Sequence, residues 1–134
     1  MLKKKGTPLP VRQEAALLLE RRGSYLVRRR PATGLLGGLW EFPTVSLAAK
    51  VPAQQQLRTL LHDFGVAGEL LPLGGISHIY SHFRLELQLF KLAINDLPRV
   101  AEGETAWCAE EELSELALHG AHKKALTKLP GAGD

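Results

Sequence analysis

The stretch Arg29-Arg30-Pro31-Ala32-Thr33-Gly34-Leu35-Leu36-Gly37-Gly38-Leu39-Trp40-Glu41-Phe42-Pro43 decides how the rest of the chain is read. Pro31 through Gly38 is a glycine-rich loop, a composition that suits neither a helix interior nor a sheet interior. Trp40 to Phe42 is a short extended piece ended by Pro43, which cannot donate to a ladder. Upstream, Ala15 to Leu19 is a continuous apolar run of the kind that fills a buried strand. Arg22-Gly23 marks a turn. Tyr25, Val27 and Arg29 then alternate with Ser24, Leu26 and Arg28, as in the second strand of a hairpin.

Downstream, Pro52 suits a first helical position. Leu57, Leu60, Leu61 and Phe64 recur at helical spacing and form one apolar stripe, and Gly65 stands where a C-cap belongs. A long pair of strands follows. Phe83, Leu85, Leu87 and Leu89 share one face, while His82, Arg84, Glu86 and Gln88 share the other, so a half-buried strand with a polar outer face is predicted. Thr105 to Cys108 reads as a further strand. Glu110, Glu111 and Glu112 load negative charge onto the start of a short helix, which suits its dipole. His122 to Leu129 reads as a last helix carrying Lys123, Lys124 and Lys128. Strands and helices mixed in this order predict an α+β fold, a sandwich with helices about a mixed β-sheet.

The chain has 134 residues, 45% of them hydrophobic, which suits one domain with a real core. The net charge is only +3, compatible with nucleic-acid contact without demanding it. The single cysteine, Cys108, rules out an internal disulfide and reads as a core residue. No apolar run approaches the roughly 20 residues that span a bilayer, so no membrane association is expected. Residues 1–10 (MLKKKGTPLP) are polar and carry a glycine and two prolines; they read as a linker. Residues 11–130 form the domain, and residues 131–134 a tail.

The quoted stretch resembles the GLW-x-FP segment that precedes the Nudix box of MutT-type hydrolases. It resembles more closely the same region in the C-terminal domain of MutY-type adenine DNA glycosylases. Tyr80-Ser81-His82-Phe83 looks like that family's Phe-Ser-His-x motif, with Tyr in place of Phe. Trp107, followed by an acidic helix and a closing basic helix, matches its C-terminal end. The resemblance covers nearly all of the chain after Pro10 and implies a Nudix-like α/β/α sandwich.

A working Nudix box has the form G-x5-E-x7-R-E-U-x-E-E-x-G-U, where U is a bulky aliphatic residue. Its glutamates gather magnesium, a hard cation that takes oxygen ligands, against a pyrophosphate. The corresponding stretch here is Arg58-Thr59-Leu60-Leu61-His62-Asp63-Phe64-Gly65-Val66. Arginine, aliphatic residues and glycine are present. Thr59 and His62 replace two glutamates, and Asp63 alone is acidic. No acidic residue lies between Thr44 and Gln56. One carboxylate does not hold a catalytic magnesium, so these are degenerate Nudix positions and neither a metal site nor a catalytic residue is expected in this chain.

The resemblance assigns lesion recognition to Ser81, with His82 and Tyr80 beside it. A hydroxyl donates and accepts, which suits the altered edge of 8-oxoguanine, with its oxygen at C8 and proton on N7. Read from the residues alone, Ser81 equally suits a turn serine bonding its own backbone, His82 a solvated strand residue, and Tyr80 either a wedge against the duplex or a core anchor. Arg28, Arg29 and Arg30 are candidates for DNA backbone contact, although alternation splits them across two faces. Lys3, Lys4 and Lys5 in the linker are further candidates. His78 and His82 lie roughly 13 Å apart along a strand, too far to share a zinc ion. His119 and His122 have helical spacing with no third ligand nearby in sequence, and read as surface residues.

The resemblance implies an 8-oxoguanine-recognition domain of an adenine DNA glycosylase, an enzyme of base excision repair that hydrolyses the N-glycosidic bond of adenine mispaired with 8-oxoguanine. The family's catalytic residues and iron–sulfur cluster belong to an N-terminal domain joined through the linker, so this domain is expected to carry no cofactor. Its implied partners are double-stranded DNA containing 8-oxoguanine opposite adenine and that N-terminal glycosylase domain. It is expected to act as a monomer in the cytoplasm, on the bacterial nucleoid. Two other classes suit the same scaffold. One is a Nudix-type nucleoside diphosphate-linked pyrophosphatase, marked by magnesium-dependent phosphate release. The other is a degenerate Nudix module that binds a nucleotide or protein, marked by failure to bind duplex DNA in any context.

Overall fold

A computed structural model describes residues 9–34, 36–99 and 104–129. Strand β1 (Val11–Arg21) is the spine of the fold. It turns through Arg22 and Gly23, both at positive φ (54° and 83°), into β2 (Ser24–Arg29). Two positive φ values give the turn a twist that matches the flanking strands, and the glycine makes it cheap. After the glycine-rich loop come β3 (Trp40–Glu41) and β4 (Thr44–Ser46), then helix α1 (Ala53–Phe64). Strands β5 (Leu71–Ile79) and β6 (Arg84–Ala93) form the long antiparallel pair. The chain ends with β7 (Thr105–Ala109), α2 (Glu110–Leu113), α3 (Gly120–Ala125) and a 3-10 turn, Leu126–Lys128.

The sheet runs β3-β2-β1-β6-β5, with β4 also paired to β1 and β7 to β2. The ladder between β1 and β6 is parallel, from Val11 opposite Arg84 to Glu20 opposite Ala93; the other pairings are antiparallel. Alternation along β1 sends Ala16 and Leu18 to one face and Ala15, Leu17 and Leu19 to the other, all fully buried. The first face packs on Leu113, Leu118, Ala121, Ala125 and Leu129 from the C-terminal helices and their flanks. The second packs on Ala53, Leu57, Leu61 and Phe64 of α1. Helices therefore cover both faces of a mixed sheet, the expected α/β/α sandwich.

Gly65 closes α1 at φ 69°, and the amides of Gly65 and Val66 donate to the carbonyls of His62 and Leu61. This is a Schellman cap, which explains the glycine. The outer face of β6 is polar at Arg84, Glu86 and Gln88, as expected, and beyond them Phe90 and Leu92, at 5% and 3% exposure, bury that face against α1. One expectation needs adjustment. The last helix starts at Gly120, before His122, because the His119 amide is taken by the Trp40 carbonyl at 3.1 Å. Residues 117–119 are thereby laid along β3, whose Trp40 amide donates to the Ala117 carbonyl.

Candidate functional site

Chemistry-bearing residues collect on the α3 side of the sheet, at the end where β5 turns into β6. The turn is short. The Tyr80 amide donates to the Phe83 carbonyl at 2.8 Å and closes the bend around Ser81 and His82. The Tyr80 and Phe83 rings stack with centroids 4.8 Å apart, and the Arg12 guanidinium lies over the Phe83 ring at 5.0 Å. The roots of the bend face the core, and Ser81 and His82 are exposed at its tip. Ser81 makes no side-chain hydrogen bond among the described residues, so the turn-serine bond to its own backbone is not formed.

Tyr80 is a core anchor and not a free wedge. Its hydroxyl accepts the Ala121 amide at 2.8 Å and lies 2.6 Å from Nδ1 of His119. Burial pushes this hydroxyl above its ordinary pKa, opposed by the Ala121 hydrogen bond, so it is a protonated donor at neutral pH. Nε2 of His119 is 3.2 Å from Oε1 of Glu41. A carboxylate only accepts, so Nε2 carries the proton and Nδ1 of a neutral His119 accepts from Tyr80. The chain of bonds has one direction: Ala121 N–H to Tyr80 O–H, to His119, to Glu41.

Glu41 is 3% exposed, and a buried carboxylate needs partners. Arg28 Nε binds Oε2 at 3.0 Å, and Arg30 binds Oε1 at 3.0 Å. Burial is the largest influence on its ionisation and opposes it. The hydrogen bond from His119 and the fields of Arg28 and Arg30 together outweigh burial and hold the carboxyl down to about 2. The arginine run is thus divided. Arg28 and Arg30 are engaged on Glu41, with 38% and 27% of their side chains still exposed. Arg29, on the opposite face, donates to the Gly38 carbonyl and meets the exposed Glu104 at 3.4 Å. Lys3, Lys4 and Lys5 lie outside the described residues.

His119 and His122 are not surface residues. They are 2% and 0% exposed, because the chain between Ala117 and Gly120 docks on β3 and tucks both rings against Phe42 and Tyr80. Glu41, the third member, was legible as an acid amid apolar and glycine residues, but its role needs the pairing of β3 with β2. Glu41, His119 and His122 each bring a ligand atom within 4.8 Å of the others. Their donor chemistry does not suit a metal ion. Nδ1 of His122 accepts the Phe42 amide at 2.9 Å, so its proton sits on Nε2, which has no lone pair to offer. Two guanidinium groups already occupy Glu41. Burial holds His122 well below the ordinary imidazole range, so it is neutral. Its Nε2 has no hydrogen-bond partner among the described residues.

On α1, Arg58, Thr59, His62 and Asp63 are all exposed. Thr59, His62 and Asp63 supply one carboxylate where a magnesium site needs several. A cleft of about 610 Å³ beside α1 is lined by Gln54, Arg58, Glu69 and Leu71 among others, with a single acid. Cys108 is partly buried, and burial, then Glu112, raises its thiol, which fits a packing role. Among the described residues no helix is long and apolar enough to cross a membrane.

A NUDIX domain model matches residues 14–128, and the chain belongs to the NUDIX domain family. Within that family it is similar to the C-terminal domain of mouse MUTYH, seen in a complex with human PCNA. The identity is 30% and the TM-score 0.71, over 87% of this chain and 86% of that one. It is 34% identical to the adenine DNA glycosylase of Mus musculus over 135 residues, and 32% identical to that of Homo sapiens over 143 residues. These alignments take in 90% and 96% of this chain. The chain spans about a quarter (26%) of the length of those relatives. A MutT protein from Methanosarcina mazei shares the fold, with a TM-score of 0.76 at 12% identity.

Proposed function

We propose that this chain is the 8-oxoguanine-recognition domain of an adenine DNA glycosylase that removes adenine mispaired with 8-oxoguanine. The observation that carries the reading is the Ser81–His82 tip. Its two side chains stand exposed, while its roots, Tyr80 and Phe83, are locked into the core. A rigid support with an uncommitted hydroxyl is what base readout needs. The likeness to mammalian adenine DNA glycosylases along nearly the whole chain points the same way. Breaking the N-glycosidic bond falls to another domain of the intact protein, and this domain contributes discrimination. The iron–sulfur cluster of the resemblance belongs there too, since one cysteine cannot ligate it.

The test is single-turnover excision by the intact glycosylase on duplexes that differ only in the base opposite adenine. Ser81→Ala should lower the preference for 8-oxoguanine over guanine by about 2- to 12-fold, the worth of one neutral hydrogen bond. Equal slowing on both duplexes would instead make Ser81 a docking residue, and no change on either would remove it from readout.

A further inference from the structure

Resting on that reading, we infer that His119 and the Tyr80 hydroxyl are positioning residues for lesion readout: through Glu41 they tie the root of the Ser81–His82 bend to the β2–β3 ladder. Neither has to touch the base. Tyr80 immediately precedes Ser81, and its hydroxyl is held at two points, by the Ala121 amide at 2.8 Å and by His119 Nδ1 at 2.6 Å. His119 is itself held at both ring nitrogens and at its amide, which donates to Trp40. The far end is Glu41, clamped by Arg28 and Arg30. Removing the hydroxyl leaves the Ala121 amide without this acceptor and Nδ1 of His119 without this donor, inside a packed region where unpaired groups are costly.

Close approach of the backbone reinforces the link. A methyl group on Gly120 would run into the His78 ring, and the His78 ring meets the Tyr80 ring edge-on at 4.5 Å. The start of α3 therefore sits directly on the strand that leads into the bend. The resemblance has Phe where this chain has Tyr80, so the hydroxyl link belongs to the combination of Tyr80 with His119.

The experiment pairs two readouts on Tyr80→Phe, His119→Gln and Ser81→Ala. In this chain, amide relaxation by NMR reports order at Ser81 and His82, and imidazole nitrogen shifts report the tautomer of His119. In the intact glycosylase, single-turnover excision reports preference. The wild type should show His119 protonated on Nε2 alone. Tyr80→Phe should shift the Nδ1 resonance of His119, loosen Ser81 and His82 but not β1 or β6, and lower preference for 8-oxoguanine over guanine about 3-fold. His119→Gln, which has no imidazole to read, should loosen the same two residues and lower preference alike. Should it fail to fold, Tyr80→Phe, which deletes one oxygen, decides alone. Preference lost in Ser81→Ala but intact in Tyr80→Phe overturns the inference and leaves the recognition reading standing. Unchanged order at Ser81 and His82 in Tyr80→Phe also overturns it. Preference unchanged in all three variants overturns the recognition reading and, with it, the inference.

Discussion

Tyr80 and His119, 39 residues apart, are joined by a 2.6 Å contact between the hydroxyl and Nδ1. It links the last residue before the exposed bend to the residue before α3. The same pocket holds Glu41 and His122, so most of the fold's buried polar chemistry lies in one place. Its energetics can be tested.

Acid should destabilise the domain well before its carboxylates titrate. His122 is kept neutral by burial; burial, then Lys124, lower His78 too. A histidine with a depressed folded pKa binds its proton more readily when unfolded. Stability is therefore complete above the unfolded value near 6.5 and falls as pH drops below it, by about 1.4 kcal/mol per pH unit for the fully buried His122. Glu14, raised by burial and then by Glu41, works in the opposite direction, so a difference measurement is needed. Urea unfolding of the wild type and His122→Asn between pH 7 and 5 supplies it. Asn can still accept from the Phe42 amide, and the variant should show the shallower decline. Parallel pH curves would mean that the histidine is not held neutral.

Glu41→Gln should be among the most damaging single substitutions. The carboxyl is held at about 2 against an ordinary 4.5, so its ionised form stabilises the fold above 4.5 and that contribution is lost as pH falls towards 2. Losing one partner of a buried ion pair costs about 3–5 kcal/mol. Arg28 and Arg30 are more exposed, at 38% and 27% of their side chains, so Arg28→Ala and Arg30→Ala should each cost less. Chemical denaturation ranks the three. A Glu41→Gln loss below about 1 kcal/mol would contradict this account of the hub.

The exposed α1 positions should tolerate glutamate without gaining activity. Thr59→Glu and His62→Glu face solvent, and changes at such sites usually stay within about 0.5 kcal/mol. The wild-type chain should show no magnesium-dependent turnover of nucleoside triphosphates, since Asp63 is the lone acid among the degenerate positions. Phosphate release by pure protein, lost on adding a chelator, would revive the pyrophosphatase reading.

Binding of this chain to undamaged duplex should be weak and strongly salt-dependent. Two of its clustered arginines are engaged on Glu41, and the net charge is +3. Each phosphate contact contributes about −0.9 to the slope of log affinity against log salt. Arg29→Ala, on the opposite face, should reduce that slope without lowering stability much. Tight binding that ignores salt would require a readout surface other than the one described.

Sequence alone determined the local elements. The β1 apolar run, the Arg22-Gly23 turn, the α1 stripe with Gly65 and the alternation through Phe83 to Leu89 are periodic or conformational signals, written in neighbouring residues. The loss of the Nudix carboxylates was equally legible, because the box lies on one helix. Tertiary structure decided what became of the isolated polar residues. His119 and His122 read as surface residues, since their third partner, Glu41, lies 78 residues from His119 in the chain. Arg28 and Arg30 read as candidates for phosphate contact, and that both also bind Glu41 follows only from the pairing of β2 with β3, which sets Glu41 opposite Arg28. Local pattern carries hydrophobic periodicity, whereas the partner of a buried charge is chosen by which strands meet, and that is settled only when the whole core closes.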